Sequence, residues 1–200
     1  MVHRARGRRR TEPSMALSTR QLITLRRLVD LVFPASDDSP AASTLQVDRY
    51  IDLRLDTPWG QGLEQYQDAP FDAGSDRSLG WQTALSPLAL YARMLDAIEQ
   101  HALITSGLSF HELDNEIAVA LFRTLEDGSF VAPPQAPVWL FFDLLLKHVT
   151  EGLFRDPALG GNLNGDGWAW LTSLYDRDVQ KRLANRAQAR TDQQAGSHHG

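Results

Sequence analysis

The chain has 200 residues, of which 42% are hydrophobic and 22% charged, and its formal net charge is −5. This length allows one domain with a substantial core, and the composition is that of an ordinary globular protein. The lack of cysteine excludes disulfides, thiolate metal sites and a cysteine nucleophile. The acidic balance argues against a nucleic-acid partner, because phosphate binding needs a basic face.

The first segment, residues 1–16, is a basic leader that carries five arginines and no apolar periodicity. Such a segment cannot bury enough surface to offset its ordering entropy, so we predict that it is disordered and dispensable for folding. It contains a twin-arginine pair, but the apolar stretch of about 7–15 residues that an export signal requires does not follow. No signal peptide is recognisable in the sequence.

The first helices are predicted from their capping signals. Ser18 and Gln21 form a capping box before an apolar-periodic segment that Pro34 ends. Ser43 and Gln46 predict a second capped helix in the same way. The stretch after that helix, residues 56–85, is rich in proline and glycine and has little periodicity, so it is predicted to be a long loop, and loops of this length are usually functional or wrapped on another part of a structure.

Helices are predicted again after this loop. Ser86 caps a helix that has proline at its first position and Gly107 at its end. Ser109 and Glu112 predict another capped helix that ends at Gly128. The next segment, "VWLFFDLLLKHVTEG", is apolar on nearly every side but too short to span a bilayer, which takes about 20 residues. It is predicted to be a central buried helix, or one whose outer face meets a partner.

These elements predict an all-α fold, because strand patterns are hard to find anywhere in the chain. We expect a single helical domain with long irregular loops over residues 17–185. A polar, flexible tail is predicted for residues 186–200, which are rich in polar residues and glycine.

The most unusual stretch is "TEGLFRDPALGGNLNGDGWAW", residues 150–170, which combines five glycines with three aromatic residues. It partly fits a calcium loop, but Asn162 stands where aspartate is expected first and Ser173 where the bidentate glutamate is expected last. It does not fit a phosphate-binding loop, since no strand precedes the glycines and no Gly-Lys-Ser/Thr follows. No catalytic residue and no metal ligand is therefore assigned.

Four segments of the chain resemble, in order, the gluconate 2-dehydrogenase subunit 3 family. They are "LSTRQLITLRRLVDLVFPASDDSPAAS", "PWGQGLEQYQDAPF", "SPLALYARMLDAIEQH" and "TEGLFRDPALGGNLNGDGW", of which the last is the most specific. The resemblance covers roughly residues 17–171. Leu153 and Leu159 differ from it, since aromatic residues are common in the family at those places.

The resemblance implies a non-catalytic small subunit of a sugar or polyol dehydrogenase complex. In this family, a large flavoprotein of the glucose-methanol-choline type holds FAD and oxidises the substrate, and a cytochrome c subunit often receives the electrons. The small subunit stabilises the large one and commonly supplies its export signal. The resemblance implies a periplasmic or peripherally membrane-associated complex, whereas the missing signal peptide leaves a cytoplasmic location open. By itself, this chain is expected to bind no cofactor and to have no transmembrane segment.

The candidate partner-binding residues lie in the loops that are rich in glycine and proline, where no helix face can bury all of the aromatic side chains. Aromatic residues beside small polar groups suit the centres of interfaces. The candidates are Trp59, Phe71, Trp81, Gly152, Phe154, Asp156, Pro157, Gly160, Gly161, Asn162, Gly167 and Trp168. Two other interpretations stay open at this stage. The glycine-rich stretch could be a simple connection between helices, and the chain could be a free-standing helical adaptor or assembly factor for another partner.

Overall fold

In the computed structural model, which describes residues 15–64 and 83–196 and the side chains as far as residue 186, the regular elements are helical. Within these ranges the chain forms six α-helices and no strand, so the all-α prediction is confirmed. The helices are α1 (Thr19–Val32), α2 (Val47–Leu55), α3 (Pro87–Ser106), α4 (Asn115–Glu126), α5 (Val138–Phe154) and α6 (Asp166–Gly196). Short 3-10 helices lie at Phe110–Glu112, Pro157–Leu159 and Leu163–Gly165.

Several helix ends follow local sequence signals. The Ser18 side chain accepts a hydrogen bond from the Gln21 N–H while the Gln21 side chain accepts one from the Ser18 N–H, so the predicted capping box starts α1. Ser86 caps α3 in the predicted way, with proline at the first helical position. Gly107 ends α3 with a φ of 72°, a conformation that glycine adopts without steric penalty.

The capping box predicted at Ser43 and Gln46 is wrong. Gln46 takes a left-handed conformation with a φ of 57° and makes no side-chain cap, and α2 begins at Val47. Ser43 instead donates from its N–H and from its hydroxyl to the Asp30 carboxylate, each at 2.8 Å. A charged acceptor from α1 therefore takes the serine away from the helix that it was predicted to cap, since charge-assisted hydrogen bonds are the stronger ones.

The capping box at Ser109 and Glu112 forms, but the predicted helix does not run on from it. The box starts only the short 3-10 helix Phe110–Glu112, after which Leu113 is extended, and α4 begins at Asn115. The buried Glu99 carboxylate accepts the Phe110 N–H at 3.0 Å and the Thr24 hydroxyl at 3.3 Å. These contacts with α1 and α3 fix the segment in a separate turn.

Helix α5 is the centre of the fold, as its apolar sequence predicts. It packs against α1, α2, α3, α4 and α6. Its buried residues lie on two adjoining faces and include Leu140, Phe141, Leu144, Leu145, His148, Val149, Gly152 and Leu153. Within the described residues, none of the helices combines the length and the apolar character needed to cross a membrane.

Helix α6 leaves the body of the protein after its first turns. It starts beside the end of α5 and continues to Gly196, which takes it past residue 185, where the sequence placed the end of the helical domain. Most side chains described beyond residue 170 are exposed.

Candidate partner-binding surface

The end of α5 lies very close to α2 at Gly152. A Cβ atom at this position would lie 2.9 Å from the Tyr50 ring and 3.0 Å from the Val47 side chain. Glycine therefore allows the two helices to approach. Beside this contact, the Tyr50 hydroxyl donates to the Glu151 carboxylate at 2.7 Å and accepts from Arg155 at 3.3 Å.

The loop after α5 turns the chain back toward this contact. The Asp156 carboxylate accepts the backbone N–H two residues further on, at 2.9 Å, and Pro157 begins a 3-10 turn. Gly160 and Gly161 follow with φ angles of 88° and 73°, which glycine adopts readily. A Cβ atom on Gly161 would lie 2.5 Å from the carbonyl oxygen of Gly152, so the loop packs directly against the backbone of α5.

Asn162 connects the start of α6 to the end of α5 through hydrogen bonds. Its side chain is fully buried. The amide nitrogen donates to the Arg155 carbonyl and the amide oxygen accepts the Gly167 N–H, both at 2.8 Å. A Cβ atom on Gly167 would lie 2.0 Å from the carbonyl oxygen of Leu153. Asn162 stands at the first position of the partial calcium-loop pattern, and its carboxamide is occupied by hydrogen bonds within the chain.

An aromatic cluster covers this junction. The Trp170 ring stacks on Phe154 with a centroid distance of 6.2 Å and meets the edge of Phe33 at 5.0 Å. Trp168 donates from its indole nitrogen to the Phe154 carbonyl at 2.7 Å, yet the side chain is 44% exposed. The sequence analysis selected Phe154 and Trp168 but missed Trp170, which holds the cluster together.

Trp59 lies on the other side of the α5 end. Its ring meets His148 edge-on at 5.1 Å, and the Arg54 guanidinium lies 4.8 Å above it. His148 and Phe154 are six residues apart on α5, or about 9 Å along the helix axis. The half-buried Trp59 and the aromatic cluster therefore flank the same end of α5. Phe71 and Trp81, the other two aromatic candidates, lie outside the described residues.

The ionisable groups beneath this surface are paired with one another. The Tyr91 hydroxyl and the His148 Nδ1 lie 2.9 Å apart in the core. Burial lowers the pKa of His148 to about 4, so the ring is neutral near pH 7. Burial, together with the hydrogen bond to Glu151, raises the pKa of Tyr50 to about 12. In the part of the chain that the structure describes, no three histidine, aspartate or glutamate side chains are grouped in a way that could hold a metal ion.

The structure divides the predicted site residues by exposure. Gly152, Gly161, Asn162 and Gly167 are buried and shape the loop from inside. Trp59, Phe154, Pro157 and Gly160 are partly exposed, and Asp156 and Trp168 are exposed. The residues that a partner could reach are therefore Trp168, Asp156 and the rims of the half-buried side chains.

Further apolar side chains extend the exposed surface along α6. They are Leu159 in the loop and Leu171, Leu174, Tyr175 and Leu183 on the helix, between 37% and 70% exposed. Of the residues on α6, only Gly167 and Trp168 were predicted from the sequence, and these four apolar residues were not. The spacing of four residues between Leu171 and Tyr175, and the later Leu183 at twice that spacing, is the signal that could have found them.

The family comparison matches a model described as gluconate 2-dehydrogenase subunit 3 over residues 19–172. The chain belongs to the gluconate 2-dehydrogenase subunit 3 family. The resemblance seen in the sequence is thereby confirmed, and the chain is assigned to a subunit of that kind of complex. No curated protein and no solved structure matches the chain.

The match to the subunit 3 family covers α1 to α5, the loop that joins α5 to α6, and the first turns of α6. The junction built by Gly152, Asn162 and Gly167 therefore lies inside the family region. The remainder of α6, residues 173–196, lies beyond it.

Proposed function

We propose that the chain is a non-catalytic accessory subunit that stabilises, and helps to export, the large subunit of a flavin-dependent sugar or polyol dehydrogenase. The large subunit holds FAD, and a cytochrome c subunit accepts the electrons where one is present. The observation that carries this proposal is the family match, which spans the helical body from α1 to the start of α6.

The exposed surface at the end of α5 supports a role in binding another protein. Trp168 is held in a defined position by its hydrogen bond to Phe154 and is still nearly half exposed. Large exposed apolar patches on single proteins usually mark interaction sites. A fixed aromatic side chain loses little conformational entropy on binding, so it suits the centre of an interface.

Co-purification of the tagged chain from its native host tests the proposal, with flavin absorbance and sugar-dependent dye reduction measured on the eluate. We expect both signals with the wild-type chain and neither with the chain produced alone. Trp168→Ala should reduce the retained flavin by about tenfold or more, because a central aromatic contributes roughly 2 kcal/mol.

Ile104→Ala is the matched control, since Ile104 is 75% exposed near the end of α3. It should leave the retained flavin unchanged, and both variants should keep the helical circular dichroism signal. Sugar oxidation by the chain alone would contradict the non-catalytic role. A captured partner without flavin would instead favour the adaptor interpretation.

A further inference from the structure

The exposed apolar surface continues along the outer face of α6, on the side opposite Trp170 and Arg177. Gly167 and Trp168 in the first turn of α6 bond to Asn162 and Phe154, and the described side-chain contacts that follow are Trp170 on Phe154 and Phe33 and the pair of Arg177 with Asp38. No hydrogen bond or ion pair joins α6 to the body beyond Arg177 in the side chains described. The helix continues for 19 residues after that point, or about 28 Å.

The apolar side chains on this helix form a stripe that we call the outer stripe: Leu171, Tyr175, Val179 and Leu183. At about 100° per residue, their steps of four residues place them within about 120° of the helix circumference. The centre of the stripe lies about 170° from the side that carries Trp170 and Arg177. Leu171, Tyr175 and Leu183 are 49%, 70% and 52% exposed.

A free helix of this kind gains little stability in water. Most helical stability in proteins comes from packing an apolar face against a neighbour and not from intrinsic helix propensity. Of the stripe residues beyond Arg177, Val179 is partly buried and Leu183 is 52% exposed. A partner that covers the outer stripe would supply the missing packing.

The charges on the stripe indicate what this partner is. Arg182 and Arg186 lie within the same 120° sector as the apolar residues, on either side of Leu183 along the chain. Arg182 pairs with Asp178 at 2.8 Å, whereas Arg186 makes no ion pair with the described residues. Residues 177–186 carry four basic side chains against the single acidic Asp178, although the whole chain has a net charge of −5. The complementary surface is therefore an apolar groove with carboxylates at the end that receives Arg186.

The same charges disfavour two other occupants. In a parallel pair of α6 helices, Arg182 of one helix would face Arg182 of the other, and Arg186 would face Arg186. Like charges would then meet at the contact. In an antiparallel pair that matches Leu171 with Leu183, the carboxylates of Asp176 and Asp178 would meet their own copies at the two flanks. An anionic membrane is disfavoured as well, because it would lie against the whole stripe and therefore against Asp176 and Asp178, which border it on both sides, and not only against Arg186.

We infer that the outer stripe of α6, together with Arg186, docks as a helix in an apolar groove with acidic side chains on the large subunit. This inference rests on the proposed function and adds a contact outside the family region. Helix-in-groove docking of this type is read by side chains spaced three or four residues apart along the helix.

Binding of the purified large subunit to the small subunit tests this inference, with Kd measured at low and at physiological salt. Arg186→Glu reverses a charge inside the stripe sector, and we expect it to raise Kd by about tenfold or more. Lys181→Glu is the matched control, because it makes the same charge change about 80° outside the stripe on the same exposed segment. It should change Kd by less than about threefold, and both variants should keep the helical signal of the wild type.

If the wild type and both variants bind the large subunit with the same Kd, the inference is overturned and the proposed function stands. Failure of the wild-type chain to bind a flavoprotein would overturn both. Sedimentation equilibrium of the free subunit, and its binding to phosphatidylglycerol vesicles, test the two other occupants. A dimer or a vesicle complex that Arg186→Glu disrupts, without any change in Kd for the large subunit, would also overturn the inference.

Discussion

The loop that joins α5 to α6 and the outer face of α6 adjoin each other but have opposite surroundings. In the loop, Asn162 is fully buried and uses both ends of its amide within the chain. On the outer face, Tyr175 is 70% exposed and belongs to a stripe of apolar side chains. The glycine-rich loop has an unusual sequence because it forms a tight joint between α5 and α6. The helix after it has an ordinary sequence but carries the accessible surface.

The joint is therefore expected to determine the stability of the subunit, and the outer face of α6 is expected to determine partner binding. Substitutions in the joint should lower the free energy of unfolding, since they place atoms where the backbone of α5 already lies. Substitutions on the outer stripe should leave the free energy of unfolding nearly unchanged and act on partner binding. Four predictions test that separation.

The largest effect is expected for Gly167→Ala. Its new Cβ would lie 2.0 Å from the Leu153 carbonyl oxygen, so α5 and α6 would have to move apart. We expect a loss of about 3 kcal/mol or more in the free energy of unfolding, measured by urea denaturation. Gly128→Ala is the control, because Gly128 has a φ of 76° but no neighbour within 4 Å, and strain alone costs about 1 kcal/mol. Equal losses in the two variants would argue against a tight joint.

The packed side of the molecule should also be sensitive to acid through His148. The pKa of this residue is lowered by burial to about 4, against 6.5 ordinarily, so between these values the unfolded chain binds a proton that the folded chain does not. This residue therefore makes the folded state less stable as the pH falls from 6.5 to 4, by about 3 kcal/mol in total.

Urea denaturation of the wild type and of His148→Gln at several pH values measures this effect. Glutamine can keep a hydrogen bond to Tyr91, so the variant isolates the titration. The variant should lose less stability than the wild type over the interval from pH 6.5 to pH 4. The same pH dependence in both proteins would show that other groups cause it.

A smaller loss is expected for Asn162→Ala. The change removes two buried hydrogen bonds and leaves the Arg155 carbonyl and the Gly167 N–H without this partner, which should cost about 2 kcal/mol. Asn164→Gly is the neighbouring control, because Asn164 is exposed and has a φ of 59° that glycine accepts easily. Thermal unfolding of the two variants should separate them, and a stable Asn162→Ala protein would contradict the proposed role of the amide.

The smallest effect on stability is expected for Tyr175→Ala. Because Tyr175 is largely exposed, the free energy of unfolding should change by no more than about 0.5 kcal/mol. Retention of the flavoprotein should nevertheless decrease, while Tyr175→Phe should preserve it. If Tyr175→Ala unfolds the subunit, the outer stripe belongs to the core and the separation between the two regions is wrong.

Local sequence signals were sufficient for much of the fold. The Ser18 capping box, the serine and proline before α3 and the glycine after it act within a few residues, and no tertiary contact overrides them in this fold. The apolar sequence of α5 likewise fixed its central position. The motif around Gly160 and Gly161 was specific enough to reveal the family, which the comparison confirms.

Tertiary contacts decided the rest. Ser43 has the sequence of a helix cap, but the Asp30 carboxylate of another helix binds it. Asn162 and Gly167 look like parts of a flexible or ligand-binding loop, yet they are buried because α6 starts against the end of α5. Which aromatic side chains stay exposed was equally invisible in the sequence. Exposure depends on the helices that pack beside a residue, and those neighbours are far away along the chain.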